Sequence, residues 1–175
     1  IEKLALAVSG MAAQAGHVRL ETSKATVSAA ASSVLTMNAM LIAEGHVTVL
    51  SDSDVVLTSA SKLSLSSVGK TVDIQASTGA VAMQINGADE SVIQTNAGNV
   101  RVSAATAGKN VTLGMVDTRS AADRAGSTLT GQASWGLVSV VAGGSVLDAD
   151  ANGAVDVYAK GLRLNAGAGV GVLGG

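Results

Sequence analysis

The chain has no proline, no cysteine and no phenylalanine, and one tryptophan and one tyrosine in 175 residues. Each absence removes a class of protein. Without Cys there is no disulfide scaffold, no thiolate metal site and no cysteine nucleophile. An aromatic side chain buries about 150–250 Å², so a chain nearly without them is expected to have a core that is narrow or shared between chains. Charged residues are 14% of the sequence, against about 25% in ordinary domains. A net charge of −2 and a pI near 5.6 leave no basic footprint for nucleic acid. No apolar run reaches the roughly 18 residues of a membrane-spanning helix. Residues Ile1 to Ala15 carry Glu2 and Lys3 and lack a basic stretch followed by a cleavage site, so no signal peptide is expected. The start at Ile rather than Met reads as a piece of a longer protein.

What is present is small. Ala, Gly, Val, Ser and Thr fill 109 of the 175 positions, and at 47% hydrophobic the chain is too apolar for a disordered coil. One domain is the prior at this length. Apolar residues alternate with small polar ones, with Val prominent, which predicts half-buried strands. Inward positions are expected at Val18, Leu20, Val47, Val49, Leu63, Leu65, Val72, Ile74, Val81, Met83, Val100, Val102, Val111 and Leu113. After a gap the series continues with Val138, Val140, Val155, Val157, Leu162 and Leu164.

The spacing is more telling than the strands. Val47, Val55, Leu63, Val72 and Val81 follow one another at 8, 8, 9 and 9 residues. Val138, Val146, Val155, Leu162 and Val170 follow at 8, 9, 7 and 8. Turn-forming stretches such as Ser51-Asp52-Ser53-Asp54 and Ala142-Gly143-Gly144 lie between them. A unit this short cannot bury its own face, so stacking must do it, as in solenoids. The predicted organisation is a lead-in over 1–16, a β-helical shaft over 17–116, an excursion over 117–136 and a second shaft segment over 137–175. Charge rises and alternation stops from Asp117 to Ser127, which predicts a protruding loop or a single helical turn. Ile1 to Gln14 is expected to be strand, because Leu4, Leu6 and Val8 alternate.

Two windings satisfy the rhythm. A single chain can form a triangular solenoid, about seven rungs rising roughly 35 Å at one strand spacing per turn. Three chains can instead wind together into a prism roughly 100 Å long. The expectation is the intertwined homotrimer, an all-β triangular prism. Neither end of the chain reads as a cap, no 24-residue ladder of Asn, Thr or aromatic residues stands out, and a narrow shared axis excludes Phe.

The apolar-x-apolar rhythm with Gly- and Ser-rich corners resembles the triple-stranded β-helix of bacteriophage central spikes. It is also similar to the stems of type VI secretion spike proteins and to other viral spike and fibre shafts. The likeness spans roughly Ala15 to Asn110 and Leu137 to Val172. It implies a homotrimeric structural shaft at a virion surface or extracellular spike, meeting a host envelope or surface glycan, with no catalytic role and no cofactor.

Little in the sequence competes with that expectation. His17 and His46 both occur as Gly-His-Val, and three copies of each could ring an axial metal. Alternation turns them outward beside inward Val18 and Val47, and the His-x-His pair of metal-holding spikes is absent. Asp148-Ala149-Asp150-Ala151-Asn152-Gly153 resembles the start of an EF-hand loop, and Asp52-Ser53-Asp54 a fragment of a calcium loop. The twelfth position of the first is Ala159, not Glu, so polar corners are expected at both and no metal site. No G-x-S-x-G elbow is present. Glu21, Asp73 and Asp156 read as a solvated face. The Gly167 to Gly175 tail lacks the following helix of a phosphate loop. Trp135 is expected to pack the excursion against the shaft, with Tyr158 the other aromatic. The competing functions are a receptor-binding fibre acting through 117–135, a monomeric ice-binding solenoid, and a polysaccharide depolymerase.

Overall fold

The computed structural model describes residues 11–13, 17–22, 34–127, 132–150 and 153–171. The chain winds into a triangular coil whose rungs each lay one strand on each of three sheets. The first rung holds β1 (Met11–Ala13), β2 (Val18–Thr22) and β3 (Leu35–Met37). The second holds β4 (Met40–Ala43), β5 (Val47–Ser51) and β6 (Val55–Leu57). The third holds β7 (Lys62–Val68), β8 (Val72–Ala76) and β9 (Val81–Met83). A hairpin of β10 (Ile85–Asn86) and β11 (Asp89–Glu90) then leaves the coil. The fourth rung holds β12 (Val92–Asn96), β13 (Val100–Ala104) and β14 (Val111–Leu113). In the fifth, helix α1 (Ala121–Ala125) separates β15 (Met115–Asp117) from β16 (Leu137–Ala142) and β17 (Val146–Asp148). The sixth has β18 (Val157–Tyr158), β19 (Gly161–Ala166) and a single bridge from Val170 to Val146.

Each sheet is a parallel stack of strands from successive rungs, ordered β1-β4-β7-β12-β15-β18, β2-β5-β8-β13-β16-β19 and β3-β6-β9-β14-β17. The described ladders join strands of this one chain in parallel sheets, as a β-helix or solenoid does. Six strands at one spacing each span about 24 Å along the axis.

Register explains the composition. In the second sheet Val18, Val47, Val72, Val100, Val138 and Leu162 stack in one column, and Leu20, Val49, Ile74, Val102, Val140 and Leu164 in the next. The third sheet contributes Leu35, Val55, Val81, Val111 and Val146, and the first Leu41, Leu63, Ile93, Val116 and Val157. The three sets of columns meet in one aliphatic core. Where the second sheet turns toward the third, the column is Thr22, Ser51, Ala76, Ala104, Ala142 and Ala166. Its members from Thr22 to Ala142 are buried, so only small side chains fit that corner. Backbones approach even more closely at Gly98, where a Cβ would lie 1.7 Å from the Lys70 carbonyl oxygen.

The expected inward residues from Val47 to Val140 are all buried. Val18, Leu20 and Val157 are half-buried and pack on the core from its end rungs. Three positions depart from the expectation. Leu162 and Leu164 occupy inward columns yet are 48% and 36% exposed, because no described strand lies above β19 to cover them. Val155 is 55% exposed because β18 is only two residues long and Val155 precedes it, outside the column that Val157 shares with Val116. Residues 1–10 and 14–16, most of the expected lead-in, lie outside the described residues.

Candidate functional site

The densest polar constellation fastens the excursion to the coil. Asp117 ends β15 with its carboxylate 3% exposed. Arg119 folds back on it: the Nη2 donates to Oδ2 at 2.8 Å, the Nε lies 3.1 Å from both oxygens, and the backbone N–H donates to Oδ1 at 2.9 Å. The Arg119 guanidinium lies 3.9 Å from the centroid of the Tyr158 ring one rung on. Arg124, from α1, approaches Asp117 Oδ1 at 3.6 Å and donates to the carbonyls of Thr95 and Arg119 at 2.7 and 2.6 Å. The hydrogen bonds that Arg119 donates to Asp117 raise the Arg119 pKa, and burial lowers that of Arg124. Both remain cations, since an arginine is effectively always protonated.

The helix is held from its other side too. Ser120 caps it, accepting from the Asp123 N–H at 3.1 Å and donating to Asp123 Oδ2 at 2.6 Å. Trp135 is 4% exposed, and its indole N–H donates to the same oxygen at 2.8 Å. These two donors hold the Asp123 carboxyl below its ordinary range. Asn96 accepts the Ala121 N–H at 3.0 Å. Thr118, fully buried, closes the corner beneath: its backbone N–H donates to the Tyr158 carbonyl at 2.9 Å, and its hydroxyl, 3.0 Å from the Gly136 carbonyl and 2.8 Å from that of Tyr158, donates to one of them at a time. Among the described residues of the segment, the exposed ones are Ala121, Ala122, Ala125, Gly126, Ser127, Ala133 and Ser134. Arg119 and Arg124 point at the shaft, where they act as a brace. Trp135 thus packs the excursion as expected, while the Asp117–Arg119–Arg124 triad was visible in the sequence only as a rise in charge. Residues 128–131 of the segment lie outside the described residues.

A second constellation sits at the last rung. Carboxylate oxygens of Asp148, Asp150 and Asp156 all lie within 4.8 Å of one another. Asp148 continues the column above Leu113, an inward position otherwise filled by aliphatic side chains. Asp148 Oδ1 accepts the Asp150 N–H at 2.9 Å. Burial, then repulsion from Asp148 and Asp150, raises the Asp156 pKa. Burial, then repulsion from all three aspartates, raises that of Glu90. The loop resembling an EF-hand thus brings carboxylates together through Asp156 as well as its own Asp148 and Asp150. Ala151 and Asn152 are outside the described residues.

The histidines form a third feature. His17 and His46 stack with ring centroids 5.0 Å apart, on successive rungs of one corner. His17 Nδ1 accepts the His46 N–H at 3.4 Å, and His46 Nδ1 accepts the Thr71 N–H at 3.1 Å. Burial first, then repulsion from His17 and Lys70, lowers the His46 pKa below 6.5. Asn99, in the same column, accepts the Leu137 N–H at 2.8 Å. Asp54 and Asn110 do likewise at another corner, for Ala80 and Ser145. The side chain at a corner satisfies a backbone donor of the next rung, which a ladder bond cannot reach there. These acceptors form no 24-residue ladder in the sequence because the spacing varies. Val18, Val47, Val72, Val100, Val138 and Leu162 are separated by 29, 25, 28, 38 and 24 residues. Glu21 and Asp73 are on the outer face, where they pair with Arg19 and Arg101.

No family model, no curated protein and no solved structure matches the chain.

Proposed function

We propose that the chain is a structural shaft segment of a spike or fibre at a virion or other extracellular surface, where it stiffens a device that meets a host envelope or its glycans. One observation carries this reading: aliphatic columns run in register through successive rungs of three parallel sheets and form one continuous core. Interior burial at about 25 cal/mol per Å² is spread evenly along the axis, as a member that transmits force requires. The single-chain winding supplies this without a second chain; the intertwined homotrimer supplies it by sharing the axis among three. Pulling a single molecule from its ends separates the two. A lone solenoid gives up its rungs in unequal steps of 24 to 38 residues, or roughly 80–130 Å of extended chain. Release of the whole chain at once and at low force would refute the shaft.

Attachment through the excursion is a second reading, favoured by its position outside the sheets. Among its described residues, the exposed face of Ala, Gly and Ser offers little for recognition. Replacing Ala122 and Ala125 by Glu leaves the brace intact and abolishes host-surface binding only if this face makes the contact.

A further inference from the structure

The hairpin between the third and fourth rungs takes no part in the three stacked sheets. Two residue pairs hold it, Ile85 with Glu90 and Asn86 with Asp89. At its foot the Ser91 N–H donates to the Gln84 carbonyl at 3.0 Å. A two-stranded hairpin is marginal by itself, so its tip opens without any rung letting go. The tip is the two-residue turn Gly87–Ala88. Gly87 has φ +63 and Ala88 lies outside the positive region, the pattern of a II′ turn, which calls for glycine at its first central position. The fold thus places a glycine directly after an asparagine.

That neighbour exposes the Asn86 amide to chemistry. Asparagine is thermolabile because the backbone nitrogen of the next residue can attack its side-chain carbonyl carbon. A side chain on that next residue hinders the attack, and glycine has none. Asn38, Asn96, Asn99, Asn110 and Asn165 are all followed by Ala or Val. Asn96, Asn99 and Asn110 also commit their side-chain oxygens to backbone N–H groups. Asn86 is followed by Gly, and every residue from Asn86 to Asp89 is exposed. A Cβ on Gly87 would meet nothing within 4 Å, so the turn is open on that side. Asn152, also followed by Gly, lies outside the described residues.

We propose that Asn86 is a self-modification site, at which the Gly87 nitrogen closes on the Asn86 side chain and ammonia leaves. The new bond joins the Gly87 nitrogen to Cγ, the Cγ–Nδ2 bond breaks, and the backbone proton departs with the ammonia. Water then opens the five-membered imide. Opening at Cγ gives aspartate. Opening at the main-chain carbonyl carbon gives isoaspartate, whose backbone is one methylene longer. Water is the only co-reactant. Either product sets a carboxylate across from Asp89, and like charges directly opposite destabilise an antiparallel pair. Glu90, the next residue along, is already under repulsion from Asp148, Asp150 and Asp156. Isoaspartate also breaks the register of a hairpin that has two pairs in all. The modification unfastens the hairpin and leaves the ladders of the rungs untouched. It does not depend on the shaft reading.

Peptide mapping of the folded protein, held warm at mildly alkaline pH, tests it. Cleavage after Lys and Arg isolates residues 71–101, which carry Asn86, Asn96 and Asn99 and leave Asn152 on another peptide. For a tip this lightly held, Asn86 is expected to convert within about tenfold of its rate in a free peptide of residues 84–91. The product is a mixture of aspartate and isoaspartate, while Asn96 and Asn99 stay intact. Conversion more than about tenfold slower than in the free peptide, or no faster than at Asn96 and Asn99, overturns the proposal. Asn86→Gln would have to close a larger ring and should survive the same incubation; equal conversion in that variant overturns the mechanism. Asn86→Asp supplies the product charge at once. Its amide exchange should quicken at Asp89 and Ser91 and stay unchanged at Val81 and Ile93, which belong to the rungs. Unchanged exchange at Asp89 and Ser91 would overturn the unfastening.

Discussion

A pair of core truncations reads the winding directly. Ile74 is fully buried between Val49 and Val102, themselves fully buried and held by ladders to further rungs. Truncating a buried Ile to Ala costs about 2–5 kcal/mol, the larger values where the surroundings cannot collapse. Strands above and below hold the backbone around Ile74, so Ile74→Ala should cost about 3–5 kcal/mol. Leu164 occupies the same column but has a neighbour on one side only, Val140, and is 36% exposed. Full burial of such a side chain contributes about 1.5–3 kcal/mol. With part of that burial and no enclosed cavity, Leu164→Ala should cost about 1–2 kcal/mol. Urea unfolding at low protein concentration measures both, followed by circular dichroism for the whole coil and by the single Trp135 for the fifth rung. A shared axis with strands of other chains above β19 would bury both positions alike. Equal costs would therefore refute the single-chain account.

Other outcomes follow from the corners and the brace. Asp117→Ala leaves Arg119 and Arg124, 12% and 16% exposed, without their carboxylate; loss of one partner of a buried pair should cost about 3 kcal/mol and shift the Trp135 emission. His46 has a folded pKa below its unfolded value of 6.5, so its contribution to stability is complete above pH 6.5 and is lost as pH falls through the folded pKa. His46→Asn keeps the acceptor for the Thr71 N–H, as Asn99 does for Leu137, and should flatten the stability profile in that window. Asp156 has the opposite sense: its raised folded pKa gives stability that is present below the unfolded value of 3.8 and is lost as pH rises through the folded one. Asp156→Asn should stabilise the last rung at neutral pH by about 0.2–1 kcal/mol, the scale of solvent-screened charge pairs. Gly98→Ala drives a Cβ into the Lys70 carbonyl and should cost about 1–3 kcal/mol in thermal or urea unfolding.

Much of this architecture can be read from the chain. The eight- to nine-residue steps from Val47 to Val81 mark three successive sides of the coil, and the residues placed inward from Val47 to Val140 are buried. The missing aromatics follow from columns such as Ser51, Ala76, Ala104 and Ala142, where a corner admits only small side chains. A local repeat is the same whether the next rung is one's own or a neighbour's, so the repeat alone does not choose between the two windings. The side-chain ladder at the corners was hidden by unequal rungs, since the β10–β11 hairpin and the excursion lengthen two of them. The brace was hidden because Asp117, Arg119 and Arg124 meet through a turn and a helix. Composition likewise cannot show that Asp148 stands in an aliphatic column while Asp156 approaches it from the next side.

The mass and length of the folded species test the central claim most directly. Sedimentation equilibrium and small-angle scattering on the dilute protein should find a folded particle of 17.1 kDa with strands stacked over about 24 Å. A species of about three times that mass that resists SDS and extends roughly 100 Å would show that the axis is shared among three chains and would contradict the account.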